Sequence, residues 1–168
     1  MTRDEVLARL TAERTEFDRR IEALDLDAFD RVPAGHGHSP REILAHVTAY
    51  EQLIVERLRA ARAGETTAFD RDRIGWEAFN ERVWREAADI GPAVAKARAR
   101  DVFAELTAGV AALTDEDLNE TTDLTRTIDP AWLQGRALWE VIAIDGFDHY
   151  PMHYRALDDA LTGRGECG

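Results

Sequence analysis

Two histidines stand four residues apart in the run Asp145-Gly-Phe-Asp-His149-Tyr-Pro-Met-His153, and only three others occur in the chain. Residues four apart on a helix share a face, with roughly 5–6 Å between their Cβ atoms. That separation lets two imidazoles reach one divalent metal ion, so the segment can supply half of a metal site. His46, in the apolar stripe of an earlier helix, is the candidate third ligand. On a helical wheel of about 100° per residue, His149 and His153 fall in the arc of Leu138, Ile142, Ala156 and Ala160. His46 falls at the edge of the arc of Ile43, Val47, Tyr50 and Ile54, so all three rings point inward.

Each unsatisfied polar group buried this way costs about 1–3 kcal/mol. A shared metal removes that cost and leaves one or two positions open for water or substrate. The plainer fate of a single inward histidine is a hydrogen bond to a carbonyl or carboxylate. Asp145, four residues before His149, could orient that ring, ligate the metal itself, cap a helix or stay solvated. His36 and His38 lie in a glycine-rich loop, where solvent exposure is expected.

An open position on such a metal lowers the pKa of bound water to about 7 and also acidifies a bound thiol. Either species is a nucleophile in an apolar pocket. Tyr50 and Glu51 are the nearest candidates for proton transfer, against the simpler reading of a packed aromatic and an exposed charge. Trp76 and Asn80, four residues apart, could give a pocket one wall and one polar anchor. Trp132 and Trp139 flank the entrance to the last helix and could cover the site.

The elements that must hold these residues read as helices throughout. Thr2 and Glu5 form a capping-box pattern, and Val6, Leu10, Phe17, Ile21 and Leu24 then mark one face. Ser39-Pro40-Arg41-Glu42 is a second start signal, followed by the stripe Ile43, Val47, Tyr50, Ile54 and Leu58 up to Gly64. A third amphipathic segment carries Trp76, Phe79, Val83 and Ile90 to Gly91-Pro92, and a fourth carries Val102, Leu106, Val110 and Leu113. Thr114 to Asp117 reads as the cap of a short turn. Residues 119 to 134 read as a long polar connection that could act as a lid. The last helix runs from about Gly135 to Leu161. Pro151 removes the hydrogen bond to the Phe147 carbonyl and should kink it, opening space beside the metal. The expected fold is therefore all-α: an up-down four-helix bundle, with a short extra helix and a long connection before the last helix. Residues 1–162 make one domain, and 163–168 a flexible tail.

Composition narrows the partners. The 168 residues are 45% hydrophobic, enough for a real core. Lys plus Arg total 21 against 33 for Asp plus Glu, a net charge of −12, which disfavours nucleic acid and anionic membrane as partners. No apolar run approaches the ~20 residues of a membrane span, and the first residues lack a signal peptide's apolar region. The one cysteine, Cys167, cannot make a disulfide framework. These features lead us to expect a soluble cytoplasmic protein.

With these residues in view, the chain resembles the DinB-like (YfiT-like) superfamily of four-helix-bundle proteins over nearly its whole length. The likeness is carried by Ser39-Pro-Arg-Glu-Ile-Leu-Ala-His46 and by Gly135-Arg-Ala-Leu-Trp-Glu-Val-Ile-Ala through His149-x3-His153. It implies that His46, His149 and His153 bind a divalent metal, commonly zinc or nickel. Gly75-Trp76-Glu-Ala-Phe-Asn80-Glu-Arg-Val-Trp84 looks more like the ClbS/DfsB branch, which includes a self-resistance protein that opens the cyclopropane of a DNA-damaging natural product. Members of that branch often lack the second histidine of the last helix, which this chain has. Other members look like thiol-dependent transferases, so a low-molecular-weight thiol is an implied partner, and many are dimers. The expected function is metal-dependent hydrolysis or thiol transfer on a small electrophile, in detoxification or self-resistance. The alternative is a non-catalytic bundle that sequesters a small molecule, its metal structural or absent.

Overall fold

The computed structural model describes residues 1–163. Cys167 and the rest of the expected tail beyond Gly163 lie outside the described residues. Helix α1 (Arg3–Glu22) begins on the Thr2–Glu5 capping box and buries Val6, Leu10, Phe17 and Ile21, the face read from their spacing. After a single-turn helix α2 (Leu26–Asp30), α3 (Pro40–Ala63) starts at Ser39. Its capping box with Glu42 forms, Pro40 occupies the first helical position, and Gly64 ends it in the left-handed region at φ +70°. Such caps contribute about 1 kcal/mol each. They fix where the helix begins, and therefore where His46 falls around its axis.

A short turn, α4 (Ala68–Arg71), precedes the third amphipathic segment, which forms α5 (Trp76–Ala88). Gly91-Pro92 does not merely stop α5, because Pro92 opens α6 (Pro92–Ala111). The short turn from Thr114 is α7 (Asp115–Asn119), with a complete capping box to Asp117.

The bundle proper consists of α1, α3, α6 and the C-terminal helical pair. Helix α6 packs between α1 and α3, while the C-terminal pair closes the other side against the same two helices. Helix α5 stands outside this square and packs on α3. It shares with α3 and α4 a separate apolar cluster of Leu53, Phe69, Phe79 and Val83. The main core runs through Leu10, Phe17, Ile54, Leu106, Ile142 and Tyr150. Among the described residues no strand occurs, and no helix is long and apolar enough to cross a membrane.

Two expectations need correction. The connection over residues 119–134 is not an open lid: it carries a 3₁₀ turn (Thr125–Thr127) and α8 (Pro130–Leu133). Thr125, Ile128 and Trp132 anchor it in the protein, so apolar burial has won over a polar-looking sequence. The last helix is also two helices, α9 (Leu138–Asp145) and α10 (Pro151–Thr162). The interruption falls at Gly146, before Pro151. Pro151 then starts the second piece at a position where a missing N–H costs nothing.

Candidate metal centre

The break between α9 and α10 sets the geometry of the site. The Gly146 N–H donates to the Ala143 carbonyl, and the Asp148 N–H reaches the same carbonyl at 2.8 Å. Three tight turns follow, with the His149, Met152 and His153 N–H groups donating to Gly146, His149 and Tyr150. His149 therefore lies in the turn, and His153 in the first turn of α10. They still meet: their Nε2 atoms are 3.2 Å apart, and His149 Nε2 is also 3.2 Å from Nε2 of His46 on α3. The interruption brings the rings together rather than pulling them apart, and one nitrogen from each lies within 4.8 Å of the others.

The contacts themselves test whether a metal fits. An imidazole nitrogen carries either a hydrogen or a lone pair. His149 Nε2 can thus complete one good hydrogen bond with its two neighbours, not both. Nδ1 of His46 and Nδ1 of His149 are buried with no full hydrogen bond: His46 lacks the carbonyl or carboxylate that usually satisfies an inward histidine, and His149 has only a weak approach from the Asp145 backbone. Tetrahedral nitrogen ligands about 2.0–2.1 Å from a zinc ion lie about 3.3 Å from one another, close to both observed separations. The three residues fit a divalent metal.

Electrostatics prepare the rings for that role. Burial holds His46 down to about 2, with His149, His153 and His38 adding repulsion. Burial lowers His149 to about 4, partly offset by the Asp145 backbone, which stops short of a full hydrogen bond to Nδ1. His153 is also lowered to about 4, by burial first and then by His149 and His38. All three are neutral at pH 7, as metal ligands must be.

Aromatic rings enclose the cluster. Tyr50 lies edge-on to His46 and His149, with centroids 4.8 and 4.7 Å away, and stacks on Trp76 at 5.4 Å. Its hydroxyl donates to Asn80 Oδ1 at 3.1 Å. Burial pushes the Tyr50 phenol up, the Asn80 hydrogen bond pulls it back and Asp145 adds to the rise, so the group is a donor at neutral pH. Tyr50, Trp76 and Asn80 are thus gathered beside the histidines.

Other candidates are drawn elsewhere. Glu51 is completely buried, not an exposed charge, and takes two bonds from Arg14 Nη1 at 2.7 and 2.9 Å. It also accepts the Tyr150 hydroxyl at 2.6 Å. Burial pushes its carboxyl up while Arg14 and Tyr150 pull it back. With both oxygens engaged and no hydrogen bond to the rings, Glu51 braces α3 against α1 and the turn that carries His149. The Asp145 carboxylate does not orient His149: it accepts the Trp132 indole N–H at 2.7 Å and lies 3.8 Å from Arg57. Trp132 therefore faces Asp145 rather than the imidazoles, and Trp139 packs, half-buried, against the main core.

Sequence reasoning missed Trp84 and misplaced His38. Trp84 stacks on His46 at 4.4 Å and 17°, and on His38 at 3.7 Å and 13°. The available signal was the four-residue step Trp76, Asn80, Trp84, which sets all three on one face of α5. His36 is also tied down, 2.9 Å from Asp159.

With this geometry in place, comparison with known proteins gives three results. A crystal structure of a Streptococcus pneumoniae protein superposes with a TM-score of 0.78 at 12% identity, covering 99% of this chain and 93% of that one, a likeness of fold alone. No curated protein matches the chain. The family model of the DinB superfamily matches residues 9–149, which takes in His46 and His149 and leaves His153 beyond its end. The chain belongs to the DinB superfamily.

Proposed function

We propose that the protein is a divalent-metal-dependent enzyme that acts on a small electrophilic molecule, by hydrolysis or by transfer of a low-molecular-weight thiol. The observation that carries this reading is the convergence of three Nε2 atoms whose mutual contacts cannot all be hydrogen bonds. His46, His149 and His153 would hold the metal, with zinc or nickel the ions suggested by the family likeness. When bound, such an ion supplies Lewis acidity that activates a coordinated water or thiol near neutral pH.

The chain's own residues do the rest. Tyr50, kept protonated by burial, gives its one hydroxyl proton to Asn80 Oδ1 and so presents an acceptor lone pair beside two of the ligands. Trp84, Tyr50 and Trp76 form an aromatic wall that limits water and favours an apolar substrate. Detoxification or self-resistance suits such a site, and the Gly75–Trp84 segment supports a ClbS/DfsB-like role.

The test is metal content. Protein purified without an affinity tag should carry close to one equivalent of metal, and His149→Ala and His153→Ala should each lose it. A metal-free parent, or unchanged content in both variants, defeats the assignment. Turnover of an activated epoxide or cyclopropane then separates catalysis from sequestration, since a sequestering protein protects only stoichiometrically.

A further inference from the structure

A second site lies one aromatic layer from the histidines. An open cleft of about 710 Å³ is lined by Arg57, Phe69, Trp76 and Trp132 and rimmed by Arg71 and Arg73. That volume falls among those of small-molecule sites. Tyr50 joins it to the metal centre, stacking on Trp76 on one side and meeting His46 and His149 on the other.

Arg57 gives the cleft its chemistry. Its side chain is 2% exposed, and half of its guanidinium fork is bonded to Asp70, with Nη2 to Oδ1 at 2.7 Å. Trp132 covers the guanidinium at 4.4 Å. The other end, Nη1, is buried with no hydrogen-bond partner, and Asp145 stands off at 3.8 Å with its near oxygen already taken by the Trp132 indole. A buried cationic donor left open in this way is costly, and an acceptor oxygen would satisfy it. The charge around it permits one. Three arginines line the cleft against Asp70 and Asp129, with Asp145 behind Arg57, so the cleft is close to neutral in a chain of net charge −12. Arg73 also holds a left-handed backbone at φ 49°, the kind of strain that collects at ligand clamps. Trp76 is 41% exposed, which leaves aromatic surface free for a planar ligand.

We propose that this cleft binds a planar aromatic molecule bearing an anionic oxygen group, of the aryl carboxylate class. The ring lies among Trp76, Trp132 and Phe69, and the oxygen reaches Arg57. This names a substrate class for the metal centre, and it rests on the proposed function only in calling the ligand a substrate.

The experiment is calorimetric titration of the full-length protein with 2-naphthoate and with its neutral isostere 2-naphthamide, in the presence of zinc and again under a chelator. The acid should bind at least tenfold more tightly than the amide under both conditions. Arg57→Gln should abolish that preference, and Trp76→Ala, its folding checked by circular dichroism, should weaken both ligands at least fivefold. Equal affinities, a preference that vanishes with the metal, or no effect of Trp76→Ala would overturn the proposal. Should the parent prove metal-free, or the histidine variants keep their metal, while naphthoate still binds, the enzyme reading falls and the cleft assignment stands.

Discussion

The α-carbon of Gly146 faces the carbonyl oxygen of Ile142 so closely that a β-carbon there would stand 2.6 Å from it. The obstacle is backbone and cannot rotate away, and Leu10 closes the other side at 3.1 Å. Only glycine lets the chain leave α9 at this point. Gly146→Ala is therefore expected to destabilise the protein by about 2 kcal/mol or more. It should also reduce metal content, because the turn after Gly146 places His149. Urea unfolding and elemental analysis of the same preparations check both, and a variant with parental stability and metal would refute the role given to this break.

Much of this was legible beforehand. N-cap residues Thr2, Ser39 and Thr114 marked helix starts because capping is a local hydrogen-bond pattern, and apolar spacing marked which faces of α1 and α3 are buried. The histidines could be matched because two of them share one turn of chain. What escaped was set by contacts between distant segments. Pro151 was the visible breaker, yet the helix ends at Gly146, where only a residue without a β-carbon clears the Ile142 carbonyl. Glu51 reads as a surface charge until Arg14, 37 residues earlier, arrives to neutralise it. Trp132 seemed to cover the metal site, but its indole N–H needed an acceptor and found Asp145.

Acidification should destabilise the metal-free protein. In the unfolded chain a histidine titrates near 6.5, while burial holds His149 and His153 at about 4 and His46 at about 2 in the fold. Between these values the unfolded state binds more protons, so stability is lost as pH falls below about 6.5, at up to about 1.4 kcal/mol per unit for each ring. Denaturant unfolding at pH 7, 6 and 5 should show a slope larger than one ring can give, reduced in His153→Gln. A flat profile in the parent would mean that these rings are not neutral and buried as described.

The Arg14–Glu51–Tyr150 brace makes a different prediction. Removing one partner strands a buried charge, so Glu51→Ala should cost about 3–5 kcal/mol. Replacing both, as Arg14→Met with Glu51→Leu, removes the desolvation penalty with the pair but leaves the buried Tyr150 hydroxyl without its acceptor, so the double variant should lose less stability than Glu51→Ala. If Glu51 only braces the fold, the double variant keeps its metal and its turnover. A folded, metal-loaded double variant with no activity would restore Glu51 to proton transfer.

The last prediction concerns Trp84, which lies against His46 with the ring planes 17° apart. Because His46 Nδ1 has no hydrogen-bond partner, no polar contact behind the ring fixes its orientation. Aromatic packing from Trp84 and Tyr50 must do so instead. Groups that orient a ligand from behind typically change metal affinity by about 10–100-fold when removed. Trp84→Leu should therefore weaken zinc binding about tenfold, measured by competition with a chromophoric chelator. Trp84→Phe should recover most of it, since a flat face remains for His46 to lie on. Trp84 is only half-buried, so thermal stability should change little in either variant. Unchanged affinity in Trp84→Leu would show that the three rings are pre-set by the backbone alone.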